Sequence, residues 1–141
     1  MLSRAQIAEL IPHAGAMVLL DAVVEHDADG IRCRSQSHRC ADNPLRRDGR
    51  LHALAGVEYG GQAAALHGPL QAGGAGSAAP GLVVSVREVR WQRRYLDDVA
   101  GTLEVTATCQ LRDARQLAYG FRLSDAAGTT LVAGEIGILL P

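Results

Sequence analysis

Two runs of strict alternation in the C-terminal half of the chain most constrain its fold. Apolar residues alternate with polar ones, first at Leu103, Val105, Ala107, Cys109 and Leu111 and then at Leu117, Tyr119, Phe121 and Leu123. Because successive side chains of a strand point to opposite faces, each run predicts a strand with one apolar face. The turn sequences "RDAR" and "SDAAGTT" join these strands and lead into "LVAGEIGILL". The pattern predicts an antiparallel meander whose apolar face must be covered by another element.

The N-terminal half predicts shorter elements. Ser3 and Gln6 have the spacing of a capping box, which predicts a short helix through about Leu10. Further strands are predicted at Met17–Glu25, Ile31–Ser37 and Leu82–Trp91, which makes five or six strands in all. The polar segment His38–Arg50 is predicted to be a loop and Gly68–Gly81 a flexible connector.

One helix, from Leu54 to about His67, is the only element long enough to cover the sheet. The 16 residues from Ala53 to Gly68 include five Ala and four Gly. Each glycine inside a helix costs about 1 kcal/mol relative to alanine, which indicates that the backbones of helix and sheet approach closely. The alternative is that Gly60-Gly61 breaks the segment into two loops. We favour a continuous helix wrapped by the sheet, the α+β architecture called the hotdog fold.

Composition excludes several classes of protein. The 141 residues suit one domain, 1–141, and a net charge of −1 argues against nucleic acid or an anionic membrane as partner. No apolar run approaches the roughly 20 residues that span a bilayer, and no signal sequence is recognisable, so a cytoplasmic protein is expected. Cys33, His38 and Cys40 lack a fourth ligand and a common zinc spacing, so no metal site is predicted.

Four segments, in order and spacing, resemble the 3-hydroxyacyl-acyl carrier protein dehydratases. They are "IPHAGAMVLLDAVVE" (Ile11–Glu25), "NPL" (Asn43–Leu45), "GVEYGGQAAA" (Gly56–Ala65) and "VSVREVRWQRRYLDDVAGTLEVTA" (Val84–Ala107). The resemblance covers nearly the whole chain. Within the family, "SHRCADNPLRRDGRLHALAGVEY" is most similar to the dehydratase-like proteins of aryl polyene pigment clusters.

The resemblance implies dehydration of a 3-hydroxyacyl thioester to the trans-2-enoyl form, in fatty acid or polyene-type synthesis. The substrate would be carried on the phosphopantetheine of acyl carrier protein, with no other cofactor. Glu58 matches the family's acid and Gln62 the glutamine that supports it. Gly56 and Val57 lie at the helix start, where backbone N–H groups can polarise the thioester carbonyl, and are predicted to bind substrate with Gln62.

The catalytic histidine cannot be assigned from a motif. Family members carry it in "G-H-F-P-G", and here "RRDGRLHAL" stands in that place. By position we favour His38 as the base, then His13, then His52. His26 is predicted to lie on the surface, and His67 to have a structural role at the helix C-terminus.

Partners follow from the fold and the resemblance. Exposed sheet edges predict a dimer, either of like subunits or with another hotdog chain. Arg90, Arg93 and Arg94 are candidates for docking the acidic carrier protein, with plain solubility as an equal alternative. Two other functions remain open: a thioesterase that uses a carboxylate with water, and a non-catalytic subunit, which the missing "G-H-F-P-G" favours.

Overall fold

A computed structural model describes residues 1–73 and 81–141 of the chain. Seven strands form one antiparallel sheet in the order β1-β2-β3-β5-β6-β7-β4, with a long helix packed on it chiefly against β5 and β6. The predicted α+β architecture is therefore confirmed. In chain order the elements are β1 (Leu2–Ser3), α1 (Arg4–Leu10), β2 (Ala22–His26), β3 (Gly30–Ser35), α2 (Gly56–Gln71), β4 (Leu82–Trp91), β5 (Leu103–Arg112), β6 (Gln116–Ser124) and β7 (Thr130–Leu139).

The central helix is continuous, and the alternative of two loops is wrong. A 3₁₀ turn at Ala53–Ala55 leads directly into α2, which runs four residues beyond the predicted end at His67. The prediction of a flexible connector was therefore wrong at its start, where Pro69 lies inside the helix. Proline disfavours a helix interior because it lacks an N–H, and for this reason the predicted helix ended before Pro69. Residues 74–80 of the predicted connector lie outside the described residues.

The N-terminal elements agree only in part with prediction. Ser3 caps α1 through a complete capping box with Gln6, as expected. The predicted strand Met17–Glu25 is shorter, because only Ala22–His26 joins the sheet. Before it, the N–H of Leu19 donates to Gln62, and the Leu19 carbonyl accepts the hydroxyl of Ser37. Side chains thus take the place of a neighbouring strand along this segment.

Glycines allow α2 to lie close to the sheet. A Cβ atom at Gly56 would lie 2.5 Å from Cγ1 of Val132 on β7, and one at Gly60 would lie 2.5 Å from Cγ of Phe121 on β6. Both contacts are too short for real side chains. A Cβ atom at Gly61 would meet nothing within 4 Å. Two of the four glycines of α2 are therefore explained by packing on the sheet. Gly61 and Gly68 are not, because a Cβ atom at Gly68 would also meet no described residue within 4 Å.

The two edges of the sheet differ in length and polarity. At one edge, β1 contributes two residues that pair with Ala22 and Val23. At the other edge, β4 is ten residues long and exposes large apolar side chains, at Leu82, Val83, Val84, Val86 and Trp91. A long, apolar, unpaired edge is a template for pairing with another chain. Within the described part of the chain, no helix is both long and apolar enough to cross a membrane.

Candidate active site

Glu58 lies in the first turn of α2, on the side of the helix that faces away from the sheet. Its side chain is exposed in the single chain. Its neighbours Tyr59 and Ala63 are fully buried, so they lie on a different face of the helix and do not cover Glu58. Residues three and four apart share a helix face, so Leu54, Gly61 and Gln62 are the relevant neighbours.

The exposed side of α2 is a coherent surface. We call Leu54, Val57, Glu58, Gly61 and Ala65 the open face of α2, since each is exposed or only partly buried. Leu54 remains half exposed, at 50%. Apart from Glu58, the open face is apolar or lacks side chains. The described residues of the chain supply the carboxylate but leave it uncovered.

Gln62 is buried and holds the N-terminal segment. Its Oε1 accepts the N–H of Leu19 at 2.9 Å, and its Nε2 donates to the carbonyl of Met17. The glutamine is 1% exposed. No hydrogen bond joins it to Glu58 among the described residues, so the predicted role of orienting the acid has no supporting contact. Gln62 instead fixes the segment that precedes β2 to the central helix.

The first N–H groups at the start of the helix are already bonded. Ala53 donates to the carbonyl of Arg94 at 2.8 Å, and Leu54 and Ala55 donate to Nδ1 and the carbonyl of His52. The N–H of Gly56 bonds to the preceding turn. Gly56 therefore offers no free donor to a thioester, and its prediction as a substrate-binding residue lacks geometric support. Val57, half-buried beside Glu58, remains a predicted substrate contact.

His38, the favoured base, is fully buried. It lies in a 3₁₀ turn at Ser37–Arg39, and its Nε2 donates to the carbonyl of Val99 at 2.9 Å. Its Nδ1 is buried without a hydrogen-bond partner among the described residues. Burial lowers the pKa of His38, against the hydrogen bond to Val99, and the nearby Arg39 and Arg46 lower it further. The imidazole is thereby kept neutral, as a base requires, but neither nitrogen reaches the surface.

The other candidate bases do not contact Glu58 either. His13 is half-buried in the segment before the 3₁₀ turn Gly15–Met17, and its Nδ1 is buried and unpartnered among the described residues. His52 accepts the N–H of Leu54 and packs edge-on against Trp91, at 5.1 Å between ring centroids. These contacts give His52 a structural role at the start of the helix.

Two histidines lie near the far end of α2. His26 is exposed, as predicted, and its Nδ1 lies 2.8 Å from Oε1 of Gln71. His67 is structural, as predicted, but the expected place at the helix C-terminus was wrong because α2 continues to Gln71. His67 is fully buried between the hydroxyl of Tyr119 at 2.7 Å and the carbonyl of Asp27 at 2.6 Å.

The predicted docking arginines fall into two groups. Arg93 is bound to Asp98 at 2.9 Å, and this hydrogen bond lowers the pKa of Asp98. Arg90 and Arg94 are exposed and form no ion pair with any residue that the structure describes. Close by, the guanidinium of Arg50 lies 3.9 Å over the ring of Tyr95. Arg90 and Arg94 are therefore the two arginines of the predicted set whose charge remains available.

A polar cavity of about 740 Å³ lies elsewhere, beside β3. Arg34, Ser37 and Asn43 line it, but none of the predicted site residues does. Behind this cavity lies a buried polar group in which Tyr59 contacts Ser37 and Asn43. No pattern in the sequence predicted this group, and its one visible signal is the asparagine of "NPL".

Among the described residues, a seven-stranded antiparallel sheet packed on one long helix defines the hotdog class of protein. Within this class the chain belongs to the ApeP-like family, described as ApeP dehydratase, whose family model matches residues 5–141. The predicted relation to aryl polyene dehydratase-like proteins is confirmed. No curated protein matches the sequence.

Solved structures agree on the fold. A chain of the dehydratase heterocomplex ApeI:P from Xenorhabdus doucetiae matches with a TM-score of 0.83 and 22% identity, covering 100% of this chain and 92% of that chain. AziG from S. sahachiroi matches with a TM-score of 0.67 and 20% identity, covering 93% and 97%. Zebra fish thioesterase superfamily member 2 matches with a TM-score of 0.69 and 13% identity, covering 100% of both chains.

Proposed function

We propose that this chain dehydrates a 3-hydroxyacyl thioester on acyl carrier protein to the trans-2-enoyl form, as one subunit of a hotdog dimer. The single observation that carries the proposal is the position of Glu58. It is the one carboxylate of α2, and it stands on the open face among apolar and small residues. Together with membership of a dehydratase family, this makes the open face the proposed active site.

The reaction needs a base and an acid on the substrate. The base removes a proton from C2 while the acid protonates the hydroxyl that leaves C3, so that one water is lost and a C2–C3 double bond forms. Glu58 is proposed as the acid. A carboxyl group keeps its proton near neutral pH only in an apolar, water-poor site. The single chain does not provide one, so a second subunit must cover the open face.

His38 remains the first proposal for the base, with His13 second. The lowered pKa of His38 favours a neutral imidazole, which can accept a proton. Its burial requires that the loop after it, which leads to Arg50, opens when substrate binds.

The proposed partners follow from the exposed edge of the sheet. Strand β4 would pair with a second hotdog subunit, and ApeI:P, to which this chain is similar, is described as a heterocomplex. Arg90 at the end of β4 and Arg94 just after it would dock the acidic carrier protein. We propose a cytoplasmic protein that needs no cofactor besides the carrier's phosphopantetheine.

One observation favours a second candidate function, a non-catalytic subunit that pairs with an active partner. Both nitrogens of His38 are withdrawn from solvent, and no histidine contacts Glu58 within the described part of the chain. In that case the active partner supplies both the acid and the base, and loses water from the loaded carrier without this chain. The third possibility, a thioesterase, shares the fold and would release a free acid.

Mass spectrometry of a carrier-bound 3-hydroxyacyl substrate separates these functions. The substrate is incubated with this chain alone, with a second hotdog subunit of the same organism alone, and with both. Loss of one water from the loaded carrier by this chain alone supports the proposed dehydratase. Loss of water only with both subunits supports a shared active site. Unloaded carrier and a free 3-hydroxy acid would identify a thioesterase instead.

A further inference from the structure

A chain of buried hydrogen bonds joins α2 to the loop that follows β3. The hydroxyl of Tyr59 lies 2.7 Å from Oγ of Ser37, and Nδ2 of Asn43 lies 3.0 Å from the same hydroxyl. Asn43 also donates to the carbonyl of Ser37 at 3.0 Å and accepts the N–H of Leu45 at 2.9 Å. Tyr59 is fully buried and Asn43 is 6% exposed.

The chemistry of the groups fixes the direction of these bonds. An amide nitrogen only donates, so the oxygen of Tyr59 accepts from Asn43 and sends its own proton to Ser37. Ser37 in turn donates to the carbonyl of Leu19 at 2.8 Å. Burial raises the pKa of Tyr59, against the hydrogen bonds with Ser37 and Asn43 that lower it. The phenol therefore keeps the proton that this chain of bonds requires.

Tyr59 directly follows Glu58 in the first turn of α2, but the Glu58 side chain is exposed whereas the Tyr59 side chain is buried. One turn later, Gln62 binds the N–H of Leu19, so α2 holds both backbone groups of Leu19, one directly and one through Ser37. A hydroxyl and a carboxamide buried in an apolar core add little net stability compared with apolar groups of the same shape. Their arrangement instead specifies one position of the surrounding segments.

We propose that Tyr59 is a positioning residue, which holds the first turn of α2, and with it Glu58, in a fixed place against the loop from His38 to Arg50. That loop runs directly into the open face through His52 and Ala53. The effect on catalysis rests on the proposed dehydratase function. The effect on the loop does not, because the hydrogen bonds belong to this chain alone.

The chain contains a matched control. Tyr119 is also fully buried, and its hydroxyl is bonded to His67 at 2.7 Å, nearer the other end of α2. Tyr59→Phe and Tyr119→Phe each remove one hydroxyl and keep the ring. Each leaves polar partners unsatisfied and should lower the melting temperature by a similar amount.

The experiment compares the two variants in the assembled protein by amide hydrogen exchange and by dehydration kinetics. Tyr59→Phe is expected to speed exchange of the Leu45 amide and to lower kcat, each by about tenfold, with little change in KM. Tyr119→Phe is expected to leave both at the wild-type values. Equal exchange at Leu45 in the two variants would overturn the inference. If the wild-type protein shows no dehydration, the proposed function fails, and the exchange comparison alone decides whether Tyr59 positions the loop.

Discussion

Glycines lie on two faces of α2, but only the glycines on the face toward the sheet have a packing role within this chain. We call that face the closed face. On the closed face, Gly56 and Gly60 make room for Val132 and Phe121, so their lack of a side chain serves the packing of this chain. On the open face, Gly61 meets no atom of the described chain within 4 Å. A glycine inside a helix costs about 1 kcal/mol relative to alanine, and no described residue of this chain uses the space beside Gly61. We propose that the second subunit packs there, on the open face that carries Glu58.

The edges of the sheet repeat this contrast. The edge at β1 is short, and β2 beyond it ends in the polar residues Glu25 and His26. The edge at β4 is long and apolar, which soluble chains avoid unless the strand is paired. We therefore propose that one partner subunit covers both the β4 edge of the sheet and the open face of α2.

The largest expected effect is on subunit association at the β4 edge of the sheet. Val86 on β4 and Leu111 on β5 have nearly equal exposure, 46% and 45%. Val86→Lys should weaken subunit association at least about a hundredfold, because it places an unpaired charge in the interface. Leu111→Lys should leave association unchanged. Sedimentation velocity over a concentration series measures both, and equal behaviour of the two variants would show that β4 is not the paired edge.

Neighbouring glycines test the two faces of the helix. Gly60→Ala should destabilise the chain by about 1–3 kcal/mol, because its methyl group meets the base of the Phe121 side chain. Gly61→Ala should stabilise the single chain by up to about 1 kcal/mol, since alanine favours a helix and the space is empty. Urea unfolding of the Val86→Lys background, which removes the partner, gives both values. A loss of stability in Gly61→Ala there would mean that the open face is already packed.

A smaller effect concerns pH. Because burial holds the pKa of His38 below its unfolded value of about 6.5, the unfolded state takes up the proton more readily. Stability from this residue is complete above about pH 6.5 and is lost as pH falls through the folded-state pKa. Arg39 and Arg46 add to the shift, and Asp21 opposes it. The melting temperature should fall less between pH 7 and 5 in His38→Gln than in wild type, and an unchanged slope would contradict a buried neutral His38.

Sequence patterns predicted the regular parts of this molecule and little of the site geometry. The alternation of apolar and polar residues located β5 and β6, because every second side chain of a strand points to the same face of the sheet. The C-terminal end of α2 was missed because Pro69 lies inside the helix. No local sequence pattern shows that the surrounding structure tolerates this proline. Glu58 was found by resemblance, but no sequence pattern indicated that its side chain is exposed in the single chain. Gln62 and His38 are hydrogen-bonded to backbone groups of Leu19 and Val99, which are distant in sequence.

We propose that Glu58, on the open face, supplies the acid once the hotdog dimer has formed. The most direct measurement is the dehydration rate of the assembled protein carrying Glu58→Gln, with Glu9→Gln as control. Glu9 is also exposed on a helix, so the same chemical change is made away from the site. We expect at least about a hundredfold loss of rate for Glu58→Gln and no loss for Glu9→Gln. Wild-type rates for an assembled Glu58→Gln protein would contradict it.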